Sequence, residues 1–111
     1  MNILIVEDKL EDARYLQEVI CDSKIENPVF TVINKLQDTE QFLYKDNFDI
    51  LFLDLGLLEC QEEKMIKGIA QYNKFATAII VLTESENVEC GTKLISYGAQ
   101  DYLVKNRITP E

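Results

Sequence analysis

Two apolar runs in this chain end on acids. Ile3-Leu4-Ile5-Val6 is followed by Glu7 and Asp8, and Ile50-Leu51-Phe52-Leu53 by Asp54. An apolar run that stops at a carboxylate reads as a buried strand carrying charge to the edge of a sheet, where water reaches it. Side by side in a parallel sheet, the two runs bring three carboxylates close together. Like charges that close repel unless a cation sits among them. Clustered carboxylate oxygens suit a hard divalent ion such as Mg2+, which keeps several of its waters. The three acids predict a metal site, and a metal site at a strand edge predicts chemistry.

Thr83 follows the apolar run Ile79-Ile80-Val81-Leu82, and Lys105 follows Asp101–Val104. Singly, each has a plain structural reading: Asp54 begins a turn, Thr83 starts a helix, Lys105 is a solvated edge charge. Together they supply the parts of phosphoryl transfer. A carboxylate serves as nucleophile and becomes an acyl phosphate. A metal and a lysine neutralise the oxygens of the moving group, and a hydroxyl donates a further hydrogen bond. Other phosphate-handling designs fit less well. There is no Gly-rich loop followed by Lys and Ser/Thr, so no P-loop. The loop after the first strand, Glu7-Asp8-Lys9, repels a flavin phosphate unless a metal intervenes. Gly56 stands where an aspartyl phosphatase needs its second acid.

Strand-like and helix-like segments alternate along the chain. Strands are expected at 2–6, 29–33, 49–53, 78–82 and 101–104. A helix at about 9–21 carries Leu10, Ala13, Leu16, Val19 and Ile20 at helical spacing, with Asp8 placed to cap it. A short helix carries Phe42 and Leu43 behind Asp38. Further helices are expected at roughly 61–72, with Met65, Ile66 and Ile69 inward, and at 87–97, ended by Gly98. Strands alternating with helices imply an α/β, doubly wound five-stranded parallel sheet covered on both faces. Ligands in this architecture bind beyond the carboxyl ends of the strands. Glu7, Asp8, Asp54, Thr83 and Lys105 all fall there. Only Asn106 to Glu111 follow Lys105, too few for a final covering helix.

At 111 residues, 47% of them apolar and only four glycine, the chain reads as one ordinary globular domain. Its net charge of −9 opposes a nucleic-acid surface, which needs clustered Lys and Arg. No run is long enough to cross a bilayer, and none resembles a signal peptide. Cys21, Cys60 and Cys90, with no histidine in the chain, rule out a Cys/His zinc site and suit reduced thiols in the cytoplasm.

The stretches Ile3-Leu4-Ile5-Val6-Glu7-Asp8, Leu53-Asp54-Leu55-Gly56-Leu57, Ile80-Val81-Leu82-Thr83 and Gly98-Ala99-Gln100-Asp101-Tyr102-Leu103-Val104-Lys105 resemble the receiver domains of bacterial two-component response regulators. They occur in the family's order and approximate spacing, over residues 1 to about 107. The resemblance implies a flavodoxin-like strand order 2-1-3-4-5, here without the last helix. It makes Asp54 the phosphoacceptor. Asp8 would ligate Mg2+ directly, Glu7 through water, and the Gly56 carbonyl would complete the protein ligands. Thr83 would hydrogen-bond the phosphoryl group, and Lys105 would pair first with Asp54 and then with the phosphoryl oxygens. Tyr102 would be an aromatic switch, its alternative being a packing role at the sheet edge. The implied partners are a sensor histidine kinase or phosphotransfer protein and a downstream protein or fused effector.

Several positions depart from the family pattern. Leu58 stands where proline is frequent, and Glu62 and Glu63 where glycine and leucine commonly open the third helix. Ala78 replaces a usual proline, and Glu84 a small residue. Acids near Asp54 add negative potential, which slows phosphate donors or alters metal affinity. The absent last helix leaves apolar residues exposed on one sheet face, and such a patch marks an interface, so a homodimer through that face is expected. The leading expectation is a phosphorylation-activated switch that acts once on itself and is not an enzyme. A phosphorylation-independent interaction or dimerisation module is the alternative. A Mg2+-dependent phosphatase is a third reading, weakened by the lack of a general acid to expel a leaving group.

Overall fold

The computed structural model describes residues 1–35, 38–54, 77–83 and 100–104, with Thr83, Tyr102 and Val104 described in their backbone alone. Its elements are β1 (Asn2–Val6), α1 (Leu10–Cys21), β2 (Val29–Ile33), α2 (Thr39–Lys45), β3 (Ile50–Asp54), β4 (Ala78–Thr83) and β5 (Asp101–Val104). The strands form one sheet in the order β2-β1-β3-β4-β5, parallel at every step. This is the doubly wound order expected. The expected helices at 61–72 and 87–97, Gly98, and the chain from Lys105 onward lie outside the described residues. The expected open apolar face is not found among the described residues: Ile3, Ile5, Phe52 and Leu82 on one side of the sheet and Leu4, Val6, Leu51 and Leu53 on the other are all buried.

The sheet's middle is apolar on both faces, as helices on both sides require. Ile3, Leu4, Ile5, Val6, Leu51 and Leu53 are all fully buried. Alternation along the strands sends Ile3, Ile5, Phe52 and Leu82 to the face on which Ala13, Leu16 and Ile20 of α1 pack. Each large aliphatic side chain that α1 buries stabilises the fold by about 1.5–3 kcal/mol. On α2, Thr39 and Leu43 are the buried residues.

Helix α1 begins one residue later than the capping pattern suggests. Lys9, not Asp8, occupies the N-cap position, in an extended conformation and without a side-chain cap. The Ala13 N–H donates to the Lys9 carbonyl at 3.1 Å, which starts the helix there. Leu10 departs from its expected place as well, being 64% exposed while Ala13, Leu16, Val19 and Ile20 are buried. Asp38 precedes α2 as expected, but its side chain makes no capping hydrogen bond.

β3 is shifted by one residue, starting at Ile50 and including Asp54, because Asp54 still pairs with Leu82. β4 likewise runs on to Thr83, which pairs with Val104. The Ala78 N–H donates to the Asp49 carbonyl at 3.0 Å. A proline there could not make that bond, so the departure at Ala78 has a local use.

Candidate metal centre

β1 and β3 pair from Ile3↔Ile50 to Val6↔Leu53. The residues after these pairs, Glu7 and Asp54, therefore reach the carboxyl edge at the same level. The Glu7 N–H donates to the Ile33 carbonyl of β2 at 3.0 Å, which keeps Glu7 in line with the sheet. Its side chain is buried, as is that of Asp54, while Asp8 is exposed. The Lys9 N–H donates to Glu7 Oε1 at 3.1 Å and fixes how the buried carboxylate is turned.

One carboxylate oxygen from each of Glu7, Asp8 and Asp54 lies within 4.8 Å of the other two. Two unit charges at that spacing repel by roughly 3 kcal/mol at an effective dielectric constant of about 20. Mg2+ holds oxygens at about 2.1 Å in an octahedron, which puts pairs of ligand oxygens about 3–4.2 Å apart. Oxygens within 4.8 Å of one another are near enough to gather around such an ion, directly or through one of its waters. Their donor set, all hard carboxylate oxygen with one member open to water, suits an ion that keeps part of its hydration shell.

The other expected site residues are placed in part. Because Asp54 pairs with Leu82, Thr83 stands one step further along the same edge. Tyr102 pairs with Val81 in β5, away from the strand end. Gly56 and Lys105 lie outside the described residues, as do Leu58, Glu62, Glu63 and Glu84. The structure thus gathers the three acids and sets the Thr83 backbone on the neighbouring strand end.

One feature of the site had no sequence signal. Beside the acids opens a cleft of about 620 Å3, walled by the apolar Leu10, Val32, Ile33 and Phe42 and by the polar Glu7, Asp8, Asn34 and Asp38. Leu10 shares the helical spacing of the α1 core residues. Its place in the first turn, level with the sheet edge, puts it on the cleft instead.

The model of the response regulator receiver domain matches residues 3–110. The chain belongs to that family. The transcriptional regulatory protein PcoR of Escherichia coli is 29% identical over 104 residues, covering 94% of this chain and 44% of PcoR. The transcriptional regulatory protein BasR of Escherichia coli strain K12 is 30% identical over 105 residues, covering 95% and 46%. This receiver spans about half the length of the curated relatives it matches. Among solved structures, the Mn2+-bound form of response regulator Rcp1 superposes with a TM-score of 0.77 at 25% identity, over 96% of this chain and 81% of that one. Receiver domains are regulatory signalling domains of two-component systems rather than classical enzymes, and they generally bind Mg2+ at an acidic pocket. A cluster of that kind is present here in Glu7, Asp8 and Asp54. Among the described residues no helix is long and apolar enough to cross a membrane.

Proposed function

We propose that this receiver is a phosphorylation-activated switch with Asp54 as its phosphoacceptor. The observation that carries the reading is the approach of the Glu7, Asp8 and Asp54 carboxylates to within 4.8 Å of one another at the sheet's carboxyl edge. Asp8 and Asp54, with the Gly56 carbonyl, would hold Mg2+ directly, and Glu7 through water. The Mn2+-bound form of Rcp1 is a similar structure with a divalent ion. When bound, the ion supplies charge neutralisation for the anionic phosphoryl group.

The chain's own groups do the rest. The P–N bond of a kinase phosphohistidine breaks as a P–O bond forms to an Asp54 carboxylate oxygen. The imidazole leaves with the electron pair and takes up a proton. Lys105 balances charge on the phosphoryl oxygens, and the Thr83 hydroxyl donates a hydrogen bond to them. Movement of Thr83 toward the group, followed by Tyr102 turning inward, changes the surface offered to partners. The donor is a sensor histidine kinase or phosphotransfer protein, in the cytoplasm. The output passes to a downstream protein or a fused effector, as the names of PcoR and BasR suggest by analogy.

Beryllofluoride binding with and without Mg2+, in the wild type and in Asp54→Ala, tests the proposal. Binding that requires both Mg2+ and Asp54 supports it. A folded wild type that binds no beryllofluoride with Mg2+ present overturns it in favour of a phosphorylation-independent module.

A further inference from the structure

β2 is an edge strand, paired on one side with β1 and, among the described residues, with no strand on the other. Its backbone directions follow from the ladder. The Val29 N–H donates to the Met1 carbonyl at 2.8 Å, and the Ile33 carbonyl accepts from the Glu7 N–H at 3.0 Å. Residues of one strand in a parallel pair alternate in where their amides point. Val29, Thr31 and Ile33 therefore spend their amides on β1, and Phe30 and Val32 aim theirs outward.

Native proteins blunt such edges with charge, proline or a bulge. In a chain that is 28% charged, Val29–Ile33 contains no charged residue and no proline, and its register with β1 runs unbroken from Asn2↔Val29 to Val6↔Ile33. Val29 is 58% exposed and Val32 41%. The edge at β5 differs: it is four residues long and opens on the exposed Asp101.

We infer that β2 pairs antiparallel with β2 of a second copy of this chain, about a two-fold axis through Thr31. Phe30 then faces Val32 of the second copy, the outward amides and carbonyls of the two exchange both hydrogen bonds, and the two-fold repeats the pair. On the other face Val29 meets Ile33 of the second copy. Every facing pair of strand residues is aromatic, β-branched or both, the kinds that stabilise neighbouring strands. The flanks select the direction. Glu26 precedes the strand and Lys35 follows it, both exposed, so antiparallel pairing brings each acid to the end where the other copy's lysine lies. Parallel pairing would set like charge beside like.

Sedimentation across a concentration series, together with amide hydrogen exchange, tests the inference. A monomer–dimer equilibrium is expected, in which exchange of the Phe30 and Val32 amides slows as concentration rises. The amides of Val29, Thr31 and Ile33 stay protected throughout. Val32→Pro removes an outward N–H without touching the bonds to β1, and it is expected to be monomeric with an unchanged circular dichroism spectrum. Should that variant misfold, Lys35→Glu is expected to weaken the dimer and Glu26→Lys with Lys35→Glu to restore it. A wild type that remains monomeric overturns the inference. So does a dimer whose Phe30 and Val32 amides exchange at the monomer rate, which would point to another face of the molecule.

Discussion

The two ends of the sheet treat polar groups in opposite ways. At the amino edge they are tied to one another. Asn2 and Asp49 exchange backbone and side-chain bonds: the Asp49 N–H donates to the Asn2 carbonyl at 2.8 Å, and the Asn2 N–H donates to Asp49 Oδ2 at 2.7 Å. Thr77 Oγ1 donates to the buried Phe48 carbonyl at 2.6 Å. The Gln100 N–H reaches the Ile79 carbonyl at 2.7 Å and brings β5 into place. At the carboxyl edge three carboxylates are gathered instead, two of them buried. Hydrogen bonds at one end fix strand entry, whereas like charges at the other are a cost the fold accepts. On the proposed function, the two ends keep stability and ligand binding apart, the amino-edge groups serving the fold and the carboxyl-edge acids the ion.

The sharpest way to break this contrast is to measure stability with and without metal. At Mg2+ a hundredfold above its dissociation constant, the wild type is expected to gain about 2.7 kcal/mol against urea. Asp54→Ala is expected to lose most of that gain while remaining folded without metal. A metal-free Asp54→Ala that unfolds readily would make the acid a structural group and erase the distinction. Thr77→Val should act in the reverse sense. It leaves the Phe48 carbonyl without its donor and is expected to lower stability by about 1–2 kcal/mol, while the Mg2+ gain is retained. The smallest effect is expected at Asp49→Ala. There an exposed side chain gives up one hydrogen bond, for a loss of about 0.5–1 kcal/mol in urea unfolding and no change in beryllofluoride binding.

Much of this was legible because strands of a parallel sheet announce themselves. Ile3–Val6 and Leu51–Leu53 are apolar without a break, since both faces are covered, and each run stops at an acid on the carboxyl edge, although Glu7 and Asp54 are themselves buried and only Asp8 is open to water. The acids that follow were visible for the same reason. Local boundaries were less so. Asp8 has the chemistry of a cap, yet Lys9 holds the N-cap position, since the conformation of the Glu7–Lys9 turn decides which carbonyl starts α1. Leu10 has the spacing of a core residue, and spacing alone does not say where the sheet beneath a helix ends.

The strands, the two helices between β1 and β3, and the acids that close β1 and β3 were therefore set by local patterns of burial and charge. The tertiary structure alone decided that Glu7 and Asp54 stand level, because that depends on the register of β1 against β3. It decided too that Leu10 and Val32 wall a cleft beside the acids, and that the amides of Phe30 and Val32 face away from β1. Register and edge position are relations between distant segments, and no single stretch of chain contains them.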